Sequence, residues 1–120
     1  MPASELEVTV RTSDGVAVID LRGELDSTAE NALQAGYAEA AETGARTIAL
    51  NFAEAGYINS SGLALIVGLL GRARSHGVEV KAYGLSDHYR EIFEITRLAD
   101  FMTIVEDNSA AGGAEGNEHA

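Results

Sequence analysis

The chain has no cysteine among its 120 residues, so disulfides and thiolate metal sites are excluded. It is also short of cations: 8 Lys and Arg stand against 19 Asp and Glu, a formal charge of -11. That excess repels nucleic-acid phosphates and anionic lipid, so neither is an expected partner, and a macromolecular partner is expected to offer a basic surface. No apolar run approaches the roughly 20 residues of a membrane span, so no membrane insertion is expected. The opening MPASELEVTV lacks the basic and apolar regions of a signal peptide, which makes a cytoplasmic location the expectation. No Walker-type phosphate loop occurs, and no cofactor is expected. The serines at Ser60 and Ser61 lie outside the Gly-x-Ser-x-Gly elbow, and His76, His88 and His119 do not fall at a metal-ligand spacing. An enzyme is therefore not the expectation. No internal repeat is visible.

What is present reads as one α/β domain. Leu6, Val8 and Val10 alternate with Glu5, Glu7, Thr9 and Arg11, the period of a half-buried strand. Ser13, Asp14 and Gly15 form a turn and Val16, Val18 and Leu21 resume a strand, so residues 5–22 predict a β-hairpin. Gly23 to Asp26 leaves the strand. Ser27 with Glu30 fits a capping box, opening a helix whose apolar face is Ala29, Ala32, Leu33, Gly36, Tyr37 and Ala40, with Thr43 and Gly44 as its stop. Thr47 to Phe52 predicts a central buried strand, Ala53 to Gly56 a loop, and Val78 to Tyr83 a strand parallel to the central one. Leu85, Ser86 and Asp87 start a third helix anchored by Tyr89, Ile92, Phe93 and Leu98, and Phe101 to Val105 adds a short last strand. From about Asp107 the chain is acidic and rich in Gly and Ala, so residues 107–120 are expected to be a disordered tail beyond a domain over 1–106.

The stretch YINSSGLALIVGLLG, Tyr57 to Gly71, organises the rest. Asn59, Ser60 and Ser61 favour a helix start, because short polar side chains accept from the unpaired N–H groups of a first turn. Leu63, Ile66, Val67 and Leu70 predict the face toward the core. Ala64, Gly68, Gly71 and Ser75 make a strip of small residues open to close approach, while Leu65 and Leu69 run into Arg72 and His76, the latter expected as a solvated cap. Two hydroxyls thus sit at the positive end of a helix, beyond the carboxyl end of a buried strand, where open α/β sheets keep their sites.

This stretch resembles the phosphorylation segment of the STAS domain, the anti-sigma factor antagonist family, where Asp-Ser-Ser/Thr-Gly-Leu opens a helix. The other family motifs follow in order over residues 5–106: Gly23-Glu24-Leu25-Asp26 before the first helix, then Gly84-Leu85, then Glu94-Ile95-Thr96-Arg97-Leu98. The resemblance implies one STAS domain, a mixed β-sheet of four to five strands in the order β-β-α-β-α-β-α-β with helices mainly on one face. It also implies a phosphorylation-switched binding module. The unphosphorylated form binds an anti-sigma factor that is also a serine/threonine kinase, a phosphatase restores it, and a weak homodimer is compatible with it. Carried over position by position, Ser60 is the phosphoacceptor, with Ser61 the alternative. Asp26, Asn59, Ser60, Ser61, Gly62 and Leu65 face the partner, Asp26 either directly or only as a helix cap. Two positions depart from the family. Asn59 stands where an Asp is usual, keeping the cap without the charge, and Arg97 replaces a helix-ending glycine, requiring a left-handed arginine or a different ending. The same fold also serves non-switching STAS subunits of lipid-transport ATPases, an alternative that phosphorylation of Ser60 separates from the first.

Overall fold

Asp14 and Gly15 both carry positive φ, 54° and 83°, which is the geometry of the tight turn that matches the twist of two antiparallel strands. They join β1 (Glu7–Ser13) to β2 (Val16–Leu25) in the computed structural model, which describes residues 5–106; the predicted tail lies outside the described residues. The chain continues through α1 (Glu30–Glu42), β3 (Thr47–Ile58), α2 (Ser60–Ser75), β4 (Glu79–Tyr83), α3 (Asp87–Ile95) and β5 (Thr103–Ile104). Short 3-10 turns at Ser27–Ala29 and Leu98–Phe101 precede α1 and β5.

The five strands lie in sequence order, with β1 antiparallel to β2 and every later neighbour parallel. Each parallel step moves one strand in the same direction through one helix, so right-handed crossovers place α1, α2 and α3 on a single face. That face holds the main core. Ile19 and Leu21 of β2, Ile48, Leu50 and Phe52 of β3 and Val80 and Ala82 of β4 meet Leu33, Tyr37, Ile66, Leu70 and Phe93 of the helices. Phe52 and Phe93 pack edge to face at 5.7 Å between ring centroids.

The opposite face carries no helix among the described residues and is closed by polar pairing around a small cluster of Val16, Val18, Ala49 and Tyr83. Asp20 receives two bonds from Arg11, at 2.8 Å from Nε and 3.1 Å from Nη2, and one from Asn51 Nδ2 at 2.7 Å. Arg11 Nη2 also donates to the Tyr83 hydroxyl at 3.3 Å. The Arg11 bond, against some burial, holds the Asp20 carboxyl below its ordinary value.

The hairpin, the face of α1 and the parallel β3–β4 pair follow the sequence expectations. Other elements differ for physical reasons. The chain does not leave β2 at Gly23, nor is Ala53 to Gly56 a loop. Register shifts after Asp20 and after Gly23 let Arg22 pair with Glu54, Gly23 with Ala55 and Leu25 with Ile58, carrying both strands on through weak strand formers. The Ser27–Glu30 capping box does not form, because Asp26 takes the cap: its Oδ1 accepts from Thr28 N at 3.0 Å and from the Thr28 hydroxyl at 2.6 Å. α3 ends at Ile95 because Arg97 is left-handed with φ 70°, so Leu98 is buried from a separate turn and Phe101 ends that turn instead of opening the strand. His76 does end α2, but it also meets α1, with Nδ1 2.9 Å from the Tyr37 hydroxyl.

The inward face of α2 is Gly62, Ile66, Leu69, Leu70 and Ala73; Leu63 is only half-buried and Val67 is 52% exposed. The predicted Leu63–Val67 face is thus rotated by about one position. The small strip at Gly68 and Gly71 meets no neighbour, since a Cβ at either would find nothing within 4 Å.

Two outcomes follow from this packing. Ile66→Asp places an unpaired charge in the core and should abolish cooperative folding, whereas Val67→Asp should change stability by no more than about 0.5 kcal/mol; thermal melts of both compare them. Because the folded Asp20 pKa is depressed, its contribution is present above the unfolded carboxylate value and is lost as pH falls through the folded one. Arg11 is 46% exposed, so solvent screening limits the contribution to about 1 kcal/mol. Urea unfolding from pH 7 down to about 3 should show parent stability falling below about pH 4, with a smaller fall in Asp20→Asn.

Candidate functional site: the first turn of helix α2

β2 and β3 end side by side, Leu25 opposite Ile58, and the chain crosses at once into α2. The Asn59 N–H donates to the Leu25 carbonyl at 3.2 Å, tying the helix start to the β2 end. Asn59 is extended, φ -98° and ψ -174°, and its side-chain oxygen accepts from Gly62 N at 2.9 Å. Its own carbonyl receives Leu63 N at 2.9 Å as the first helical bond. Asn59 is therefore the N-cap, and Ser60 and Ser61 are the first two helical residues, both exposed.

Gly62 is required here by space alone. A Cβ on it would overlap the Leu25 carbonyl, so backbone lies directly on backbone. From the other side, the Tyr89 hydroxyl of α3 accepts the Ile58 N–H at 3.0 Å, fixing the strand end that carries the cap. The sequence pattern gave Tyr89 only as a core anchor, and nothing in its spacing signalled this bond.

The structure brings five of the predicted residues together. Asn59, Ser60, Ser61 and Gly62 are consecutive, and Asp26 adjoins them because it follows Leu25. The Asp26 carboxyl is held below its ordinary value by its bonds to Thr28, so it is an anion at neutral pH on a half-buried residue at the surface. Its structural work is to cap the turn before α1, and that same work leaves its charge on the surface beside the α2 start. Leu65 stands apart, one turn further on. It is half-buried in a groove of about 350 Å³ between α1 and α2, whose walls also include Leu33, Tyr37, Gly68 and Arg72. The Arg72 guanidinium lies 4.5 Å from the Tyr37 ring centroid at the lower end of that groove.

Tyr57, 54% exposed near the end of β3, belongs to the same end of the molecule. The sequence pattern did not single it out as a contact residue, although exposed tyrosine is a frequent anchor in interfaces. Among the described residues no group of three or more His, Cys, Asp or Glu is arranged to hold a metal ion, and no helix is long and apolar enough to cross a membrane.

This geometry has relatives. The STAS domain profile matches residues 7–111. The anti-sigma-B factor antagonist of Staphylococcus aureus (strain NCTC 8325 / PS 47) is 32% identical over 101 residues, covering 84% of this chain and 94% of the relative. The unphosphorylated form of the anti-sigma factor antagonist SpoIIAA superposes with a TM-score of 0.67 at 22% identity, covering 94% of this chain and 98% of that one. The phosphorylated form of the Bacillus cell fate determinant SpoIIAA gives 0.64 at 26% identity, covering 86% and 95%. With a profile spanning most of the chain and a relative of near-equal length, the chain belongs to the STAS domain family, among the anti-sigma factor antagonists, which are regulatory proteins and not enzymes.

Proposed function

We propose that this protein is a cytoplasmic partner switch controlled at Ser60. In its unphosphorylated form it binds an anti-sigma factor that is also a serine/threonine kinase and thereby frees a sigma factor. Transfer of the ATP γ-phosphoryl group to the Ser60 oxygen, with loss of the hydroxyl proton, ends that binding, and a phosphatase reverses the transfer by hydrolysis. The observation that carries the proposal is the division of labour at the helix start: Asn59 does the capping, which leaves the Ser60 hydroxyl exposed for modification. A phosphate there carries roughly -1.5 to -2 charges and meets a helix N-terminus that favours anions, so the fold tolerates it. The likeness to SpoIIAA, known in a phosphorylated form, supports the same reading.

The switch works at the surface. Asp26, Asn59, Ser60 and Ser61, with Leu65 one turn further on, form the contact patch with the kinase, and Gly62, buried against Leu25, seats it from beneath; added charge and bulk in the centre of the patch oppose docking. Asn59 lacks the charge usual at its position while keeping the cap, so it affects how the kinase reads the site and leaves the helix intact.

Three variants test this. Ser60→Ala should fold within about 0.5 kcal/mol of the parent, since Ser60 is not the cap, and should bind the kinase without being released by ATP. Ser60→Asp should fold equally well and bind at least about tenfold more weakly, a loss of about 1.4 kcal/mol. Asn59→Asp should gain about 0.3–1 kcal/mol from the helix dipole and be phosphorylated at least as fast as the parent. Binding by calorimetry and phosphopeptide mapping after incubation with kinase and ATP give the readouts. Label on Ser61 alone would move the site by one residue, and no label on either serine would favour a non-switching STAS subunit of a lipid-transport system.

A further inference from the structure

Asp26 caps the Ser27–Ala29 turn as Asn59 caps α2, and each cap is followed at once by an exposed serine. The Ser27 hydroxyl makes no hydrogen bond among the described residues, whereas the hydroxyl of its neighbour Thr28 donates to Asp26 at 2.6 Å. Most other exposed hydroxyls are engaged as well. Thr43 donates to the Ala40 carbonyl, Ser75 to that of Arg72 and Thr96 to that of Ile92, while Ser86 accepts from the Tyr89 N–H. Of the exposed hydroxyls left free among the described residues, Thr12 lies beside the hairpin turn at the far end of the sheet and Thr103 on the edge strand β5. Ser27 joins Ser60 and Ser61 at one end of the molecule. Leu25, two residues before Ser27, accepts the Asn59 N–H at 3.2 Å, and the Ser27–Ala29 turn packs against α2.

We propose, resting on the kinase reading given above, that Ser27 is a second phosphoacceptor of the same switch. A kinase seated over Asp26 and Ser60 covers Ser27 as part of one surface. The Ser27 oxygen forms a bond to the γ-phosphorus of ATP as the bond from that phosphorus to the β–γ bridging oxygen breaks. ADP leaves, and the hydroxyl proton passes to solvent. Two features favour Ser27 as acceptor. Its oxygen has no structural duty, so modification leaves in place the cap that Asp26 and Thr28 make with other atoms. Asp26 also sets a carboxylate directly before Ser27, a charge that Asn59 does not set before Ser60. Because Ser27 is exposed, water and salt screen an added phosphate from that carboxylate. Each phosphate brings roughly -1.5 to -2 charges, so one patch passes through states with no, one and two phosphates.

Phosphate mapping of the full chain purified from its own cells, in growth and in stationary phase, tests this without a purified kinase. Trypsin cuts after Arg22, Arg46 and Arg72, so Ser27 falls in residues 23–46 and Ser60 with Ser61 in residues 47–72. The expected result is phosphate in both peptides, with fragment masses placing the first on Ser27, and three forms on phosphate-affinity electrophoresis. Ser27→Ala should lose the label from residues 23–46 and melt with the parent, because Asp26 and not Ser27 is the cap. Fragment masses on the parent chain give the position directly should that variant fail to fold.

Phosphate in residues 47–72 alone overturns the proposal and leaves the Ser60 switch standing. Phosphate in residues 23–46 alone supports Ser27 and removes Ser60 from the switch. A label in residues 23–46 that survives Ser27→Ala also overturns the proposal, since another hydroxyl of that peptide is then the acceptor. A chain free of phosphate in both peptides overturns both assignments.

Discussion

The contact between Gly62 and the Leu25 carbonyl governs the rest of the molecule. Parallel β2 and β3 end level with each other, and Asn59 N–H closes onto the same carbonyl that fills the space beside Gly62. A helix start held by a hydrogen bond alone keeps freedom to turn about its axis. One with backbone pressed on backbone does not, because any rotation either opens a void or brings a side chain into the Leu25 peptide. Once Gly62 faces inward, Ile66, Leu69, Leu70 and Ala73 must follow at helical spacing, and Ser60, Ser61 and Val67 must face out. The core face, the exposed serines and the groove between α1 and α2 all descend from that one residue having no side chain.

This also explains which parts of the molecule could be read from sequence. The faces of α1 and of the hairpin strands were legible because apolar residues fall on one side and polar residues on the other, so a single phase fits. Helix α2 has Leu63, Leu65, Ile66, Val67, Leu69 and Leu70 in a run, and apolar residues on several sides leave periodicity unable to choose the phase. A long-range contact made the choice. The extension of β2 through Gly23 to Leu25 was hidden for a related reason: Gly23, Ala53 and Gly56 have poor strand propensity, and pairing between two chain segments overrides it. The candidate site divides in the same way. Residues 59–62 were visible as a helix opening because they are consecutive, and Asp26 joins them only through the Leu25–Asn59 bond, which no local pattern encodes. The Asp26 cap was one of two readings that the sequence left open, and the bonds to Thr28 show that it forms.

The two faces of the sheet reach stability by different means. Right-handed crossovers in a constant direction spend all three helices on one face, where apolar packing holds the structure. The other face uses small β-branched residues and alanine, closed by the Arg11, Asp20, Asn51 and Tyr83 bonds. Those bonds are made at register-matched positions, Asp20 beside Asn51 beside Tyr83 across three strands, so they also resist slippage of the parallel pairs. Charge on this acidic chain is thus used locally, with a scarce arginine where a carboxylate would otherwise lie unpaired.

That separation of tasks continues at the start of α2 and bears on the switch proposed there. Were a serine the N-cap, replacing or modifying its oxygen would remove a bond from the helix start, and the chemical event would be felt as instability. With Asn59 as cap, the serine oxygens carry no such duty. The dipole of a 16-residue helix offsets added negative charge at that end, and the Gly62 seat keeps the first turn from shifting to accommodate it. The free-energy change on adding an anion then falls almost wholly on whatever docks against the surface. On the function proposed above, a rigid, separately capped helix end would convert a small covalent change into a large difference between bound and unbound states without passing through a change of fold.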